Sequence, residues 1–411
     1  MQVVEKFDVV IIGAGPSGTV AAAFLRQQGK KVLILEKQQF PRFSIGESLL
    51  PQSMVYLEKA GLLQAVVEAG FQHKNGAAFL WRGQTTAYDF RDKFTEGWGT
   101  TYQVERSKFD KILADVVQKR GAHIRYQEEV LAITRQDALM FTHVQGKAGP
   151  YWVQSEFILD ASGFGRVLPR LLQLERPSAF PLRHAIFGHI EDNIKCTRFD
   201  RNKILITIHP KHSDIWFWLI PFSNGRASFG VVGSGAVLTA MPGSAEDKLV
   251  ALLAEEPDLQ KILEHAKFDR PFQSLQGYAA NVSSLYGPGY ALLGNAGEFL
   301  DPIFSSGVTI ALRSSYLATC CLEKQLKGEP VNWQADYAEP LQQGIDTFRV
   351  FVTTWYENTL PKILFYAKQT PQIRQMIASI LAGYAWDKRN PYVKDTQRRL
   401  KTLEVLCTGG Q

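Results

Sequence analysis

Six consecutive residues near the start of the chain, Gly13, Ala14, Gly15, Pro16, Ser17 and Gly18, have the types and spacing to hold a pyrophosphate. In such a turn Gly13 permits a sharp exit from a strand, and Gly15 lets the backbone approach phosphate oxygens. Gly18 lets the following helix pack close to the strand. The helix would present free N–H groups and about half a positive charge to the anion. Glu36 stands eighteen residues beyond Gly18, where a carboxylate can take both hydroxyls of a ribose. The pattern marks a dinucleotide site, and its spacing does not choose between NAD and FAD.

These residues need a strand, a turn, a helix and a second strand to hold them. Residues 7–12 (FDVVII) form a short apolar run that ends at the glycines. Residues 17–28 have helical composition with Gly29 as the stop, and residues 31–35 (KVLIL) lead into Glu36. This is a βαβ unit, the opening of a doubly wound parallel sheet in an α/β fold. Residues 158–160 and 291–293 read as later strands of that sheet. Residues from about 180 to 275 alternate β-branched and aromatic side chains and predict a second, mainly antiparallel layer. Beyond about 310 the pattern is helical. The expected division is a discontinuous Rossmann-type domain (1–75, 99–175 and 276–325), an inserted antiparallel β domain (76–98 and 176–275), and a helical region (326–411).

With 411 residues the chain exceeds one ordinary core, so several lobes are expected. Eight Trp, 14 Tyr and 25 Phe suit a cavity for a flat or greasy ligand, and they suit an aromatic core equally well. The net charge is +6, and basic residues cluster only near the C-terminus, at Lys388, Arg389, Lys394, Arg398, Arg399 and Lys401, diluted by Asp387, Asp395 and Glu404. That cluster reads as a solvated helix face or as a docking patch for an acidic partner or a membrane surface. No nucleic-acid module accompanies the charge, so nucleic acid is not an expected partner. Cys196, Cys320, Cys321 and Cys407 have no metal or disulfide spacing, and no apolar stretch reaches 18 residues. A cytoplasmic protein with reduced thiols, no metal and no transmembrane segment is expected.

Three later segments carry a resemblance: residues 104–110 (VERSKFD), 160–163 (DASG) and 294–302 (GNAGEFLDP). Their order resembles that of the FAD-dependent monooxygenase superfamily, which includes aromatic hydroxylases, geranylgeranyl reductases and flavin-dependent halogenases. The resemblance implies FAD, with Arg106 along the cofactor and the turn at Gly294 against the ribityl chain and pyrophosphate. Asp301 belongs to the same cofactor-facing motif. Lys37, Arg42, Ser48, Val130, Asp160, Gly163, Pro302, Gly307 and Val308 complete the implied cofactor set, with Pro16 and Ser17 from the first turn. Asn295 stands where the superfamily usually carries Asp, a change that removes a charge and keeps hydrogen bonding. A second glycine turn is missing, so reduction by a separate NAD(P)H-dependent flavin reductase or another electron donor is expected.

Four segments narrow the resemblance to flavin-dependent halogenases: residues 41–51 (PRFSIGESLLP), 70–79 (GFQHKNGAAF), 216–221 (WFWLIP) and 301–308 (DPIFSSGV). It implies that reduced FAD and O2 oxidise a halide, and that hypohalous acid then passes Trp216 and Trp218 to Lys74. On a strand those two tryptophans share a face, where they either wall a cavity over the flavin or pack a half-buried sheet. Ser305, Ser306 and Gly307 read as an anion nest for halide or simply as a helix start. Lys74 reads as a catalytic cation or as an exposed lysine in a polar turn. At 4 Å and an effective dielectric near 20, such a charge is worth about 4 kcal/mol, on the order of a thousandfold in rate. The glutamate partner of tryptophan-type halogenases is not identifiable, which points to phenol- or pyrrole-like substrates. Asn295 and the incomplete catalytic set keep open hydride transfer on an isoprenoid-like substrate, as in a dehydrogenase or geranylgeranyl reductase. A non-enzymatic redox carrier or sensor is the third reading. Trp333, Tyr337, Phe348, Phe351, Trp355, Phe365, Tyr366 and Tyr384 recur at helical intervals, either closing a substrate cavity or packing on a sheet. The basic tail would suit an acidic carrier protein that presents a tethered substrate.

Overall fold

The computed structural model describes residues 4–178 and 180–408. At its centre the strand Val9–Ile12 runs parallel to Val32–Glu36 on one side and to Phe157–Asp160 on the other. His123–Tyr126 and Tyr290–Leu292 extend this parallel order outward, and Tyr286–Gly287 closes one edge antiparallel. Both faces are covered, which is why the inner strands read as continuous apolar runs. Val9, Ile11, Val32 and Ile34 pack with Ala21, Phe109, Leu113 and Leu312, side chains of the helices Pro16–Gln27, Arg106–Lys119 and Ser306–Gln325. The alternate residues Val10, Ile12, Leu33 and Leu35 face a different cover. It is a four-stranded sheet made of Glu5–Lys6, Gly149–Ser155, Leu139–Gly146 and Glu129–Gln136, and it supplies Val130, Met140, Val144 and Val153. Its other face mixes apolar and polar side chains, Phe141 and Trp152 beside Gln145 and Gln154, so no clean alternation set it apart in the sequence.

The second layer is a seven-stranded sheet in the order Gln273–Gln276, Arg183–Glu191, Arg226–Ser234, Trp216–Pro221, Lys203–Ile208, Gly76–Trp81, Gln84–Asp89. It is antiparallel except where Lys203–Ile208 meets Gly76–Trp81. Trp216, Trp218 and Ile220 point into the main core, while Phe217 and Leu219 point to a second core under the helices Ala245–Ala254 and Pro257–Ile262. A helical C-terminal region begins at Glu339–Tyr356 and lies on the tryptophan side of this sheet. Its Trp355 is fully buried, with ring centroids 6.2 Å from Phe79 and 6.0 Å from Phe304. No helix among the described residues is long and apolar enough to cross a membrane. The described residues also contain no cluster of His, Cys, Asp and Glu that could hold a metal.

Candidate functional site

The glycine turn is built as its spacing requires. A Cβ at Gly13 would lie 2.6 Å from the Ala161 carbonyl oxygen, and one at Gly18 only 2.0 Å from the Gly13 oxygen. Those two positions admit glycine alone because backbone presses on backbone. Gly15 differs: a Cβ there would meet only Arg42, at 3.6 Å, so space opens over the helix N-terminus. Gly15 is the N-cap and no side chain caps the first turn, which leaves its N–H groups for a ligand. The Glu36 carboxylate is aimed by backbone donors, Ala14 N–H at 2.9 Å and Gln38 N–H at 2.9 Å. An open anion seat with a buried carboxylate one strand away fits the phosphates and ribose of FAD.

Around this seat the implied cofactor residues divide. Arg42 lies beside Gly15, 3.9 Å from Glu36 and 3.2 Å from Asp110. Arg106 is buried and clasps Asp110 at 2.7 and 3.0 Å, while its Nη1 donates to the Ile45 carbonyl at 2.5 Å. Gly46 and Val308 meet here, since a Cβ at Gly46 would sit 3.6 Å from Val308. Asp160 accepts from Ser162 N–H and Leu168 N–H, and burial pushes its carboxyl up from the usual range. Gly163 and Gly294 both adopt positive φ, 59° and 52°. The Asn295 amide oxygen would lie 3.7 Å from a Cβ at Gly307, so that departure sits beside the 305–307 turn. Two residues stand apart: Lys37 is exposed and pairs with Glu129 at 2.7 Å, and Val130 belongs to the core under the four-stranded sheet. Ser17 turns inward, its hydroxyl 3.1 Å from that of Ser315.

Lys74 does not lie in a polar turn. It ends the strand Gln72–Lys74, pairs with Thr101 of Thr101–Gln103, and is 1% exposed. Its ammonium donates to the Ser48 hydroxyl at 2.7 Å and to the Leu49 carbonyl at 2.8 Å, and it lies 5.5 Å from the Phe90 ring. No carboxylate among the described residues pairs with it, and burial alone lowers its pKa to about 7. Ser48, implied as a cofactor residue, is thus a ligand of this lysine. The loop 42–50 is thus held by Arg106 at Ile45 and Gly46 and by Lys74 at Ser48 and Leu49.

Trp216 and Trp218 share a face, with centroids 5.9 Å apart, and are 1% and 4% exposed. Gly230, directly opposite Trp218 across the sheet, has no side chain to block that indole: a Cβ there would fall 2.4 Å from the ring. Trp218 donates to Ser228, and Trp216 donates to the Tyr356 hydroxyl at 3.1 Å. Below them Asp301 caps the turn Pro302–Phe304, Ser305 follows with φ 54°, and the helix Ser306–Gln325 begins. A left-handed residue at a helix start leaves successive N–H groups facing one way, the geometry of an anion nest.

Several site residues escaped the sequence reading. Asp110 ends the segment 104–110, one helical turn after Arg106, and that spacing is its signal. Glu47 lay in another motif; it is buried and meets His189 at 2.6 Å. Tyr278, Tyr356 and Arg183 gather at Asp301 from three distant segments, and no local pattern marks them.

Comparison with known proteins agrees with this geometry. The family model of the FAD binding domain matches residues 6–268. The chain is 29% identical to a 1H-pyrrole-2-carbonyl-(peptidyl-carrier protein) chlorinase of Pseudomonas fluorescens, over 96% of this chain and 93% of that protein. It is 27% identical to the corresponding brominase of Pseudoalteromonas luteoviolacea, over 94% of each. Among solved structures, a flavoprotein/dehydrogenase from Cytophaga hutchinsonii superposes with a TM-score of 0.95 at 43% identity, covering 99% of this chain and 100% of that one.

Proposed function

Because the chain belongs to the FAD binding domain family, in its flavin-dependent halogenase group, and so is an FAD-dependent oxidoreductase, we propose that it halogenates an electron-rich aromatic ring of the pyrrole or phenol kind. Bound FAD, reduced by a separate reductase, would supply two of the four electrons that O2 takes up, the halide giving the other two as it becomes hypohalous acid and the second oxygen leaving as water. Gly15, the first helical turn and Glu36 hold the dinucleotide, and Arg106 fixes the loop 42–50 beside it. The N–H groups of Ser306 and Gly307 at the helix start are offered to the halide, that of Ser305 being taken by the Pro302 carbonyl. Trp216 and Trp218 keep the organic substrate from the flavin. Lys74 donates to the hypohalous oxygen with the proton that Ser48 and Leu49 leave unused, and so directs the halogen toward the ring.

The observation that carries this reading is a fully buried lysine with no counterion among the described residues, anchored to the loop that Arg106 pins. Burying an ammonium without a carboxylate costs stability, a cost characteristic of functional sites. The Pseudomonas fluorescens relative acts on a carrier-bound pyrrole. The exposed Arg398, Arg399 and Lys401 on the helix Thr396–Thr408 suit an acidic carrier. Four free cysteines suit a reducing cytoplasm. The likeness to a flavoprotein/dehydrogenase favours, as a second reading, hydride or electron transfer without halogenation.

The test is aerobic turnover of the reduced, FAD-loaded protein with bromide and a panel of phenols, pyrroles and indoles, free and carrier-tethered, read by mass spectrometry. A brominated product is expected. Return to oxidised flavin with no brominated product, and no effect of bromide, would move the assignment to the second reading.

A further inference from the structure

Asp301 is 3% exposed, and its two oxygens serve different parts of the chain. Oδ1 accepts from Ile303 N–H at 3.0 Å and so shapes the turn that leads into Ser305. Oδ2 accepts from the Tyr356 hydroxyl at 2.9 Å and from the Tyr278 hydroxyl at 3.3 Å. Tyr356 is the last residue of the helix Glu339–Tyr356, and its oxygen also accepts from the Trp216 indole at 3.1 Å. A hydroxyl has one proton, so with Asp301 ionised the chain has one direction: Trp216 donates to Tyr356, which donates to Asp301. The Arg183 guanidinium stacks on the Tyr356 ring at 3.6 Å, 3.3 Å from the Asp214 carboxylate. One phenol thus touches the aromatic wall on one side and the flavin-side turn on the other.

We propose that Tyr356 and Asp301 form a positioning pair that couples the C-terminal helical region to the flavin-side turn, setting the Trp216 indole and the 305–307 backbone together. The proposal rests on the FAD reading above. Neither side chain is a catalytic residue in it. A shift of the Glu339–Tyr356 helix, as when a substrate settles against the C-terminal region, reaches the turn through this hydrogen bond to a carboxylate as well as through the packing of Phe351 and Trp355 on Phe304. Bonds of this charge-assisted kind are strong and directional.

The coupling has a signature that simple packing lacks. Burial pushes the Asp301 carboxyl up to about 6, against the opposing pull of Ile303 N–H, Tyr356, Arg183 and Tyr278. Ionisation of Asp301 therefore alters the turn Pro302–Phe304 at mildly acidic pH, a change that a flavin bound as proposed above would report. The experiment records visible absorption and circular dichroism of the FAD-reconstituted protein between about pH 5 and pH 8, in wild type, Tyr356→Phe and Asp301→Asn. Wild type should show a flavin spectral transition near pH 6. In Tyr356→Phe the ionised carboxylate loses a donor, so the midpoint should rise by about one unit, and in Asp301→Asn the transition should vanish. Should Tyr356→Phe not fold, Tyr278→Phe carries the test, with a smaller rise from its longer bond. A wild-type spectrum without a transition, or the same midpoint in the tyrosine variants, overturns the pair. Failure of the wild-type chain to take up FAD overturns the cofactor reading instead.

Discussion

Two buried cations hold the loop 42–50, Arg106 at Ile45 and Lys74 at Ser48 and Leu49, and they are held in opposite ways. Arg106 brings its own counterion: a bidentate clasp on Asp110 offsets its desolvation, and its remaining donor reaches the Ile45 carbonyl. Lys74 has a hydroxyl and a carbonyl and, among the described residues, no carboxylate, so no opposite charge offsets its burial and its pKa falls to about 7. One cation is a permanent fixture of the cofactor side. The other carries a charge that neutral pH can remove. Within one loop, the fixed charge of Arg106 has its carboxylate partner, and the lysine proposed as proton donor has none among the described residues.

The sharpest way to break this contrast is Lys74→Ala. Loss of the cation should lower the rate of product formation on the order of a thousandfold while FAD uptake is unchanged. A loss below about tenfold in single-turnover assays would make Lys74 a packing residue. On the paired side, Asp110→Ala strands Arg106 without its carboxylate and should cost about 3 kcal/mol in denaturant unfolding, with weaker FAD retention. A cost no larger than that of an exposed pair would erase the distinction. Lys74 should also leave a mark on stability. The unfolded lysine keeps its proton up to about 10.5 and the folded one releases it near 7, so between those values the unfolded state binds more protons. Stability should therefore rise with pH in that window, by at most about 1.4 kcal/mol per unit, and this rise should be missing in Lys74→Met. The burial penalty is present in full below pH 7. At the mild end, Lys37→Ala at the exposed Glu129 pair should change stability by less than about 0.5 kcal/mol and leave FAD affinity as it was.

The cofactor side was largely legible because its signals are local. Glycines, an apolar strand and a terminal acid fall within thirty residues, and the physics that selects them acts over that same span. The segment around Lys74 was recognisable by resemblance, yet its burial was not, because the partners that bury it, Ser48 and Leu49, arrive from a separate loop. Tyr356 shows the limit most clearly. The aromatic residues noted along the C-terminal region included its neighbour Trp355, which packs between Phe79 and Phe304. Tyr356, one residue on, points along the helix surface to Asp301, fifty-five positions earlier in the chain. Periodicity reports the face a helix buries and is silent on which polar group waits there.

The strand Val9–Ile12 sits mid-sheet between Val32–Glu36 and Phe157–Asp160. During synthesis on the ribosome one of its edges finds a neighbour almost at once, while the other stays open until residue 160 has left the exit tunnel. The nascent chain must therefore carry an apolar, unzipped edge through more than a hundred residues of elongation. Chaperone capture, or uptake of the yellow cofactor before release, is expected to matter most in that interval.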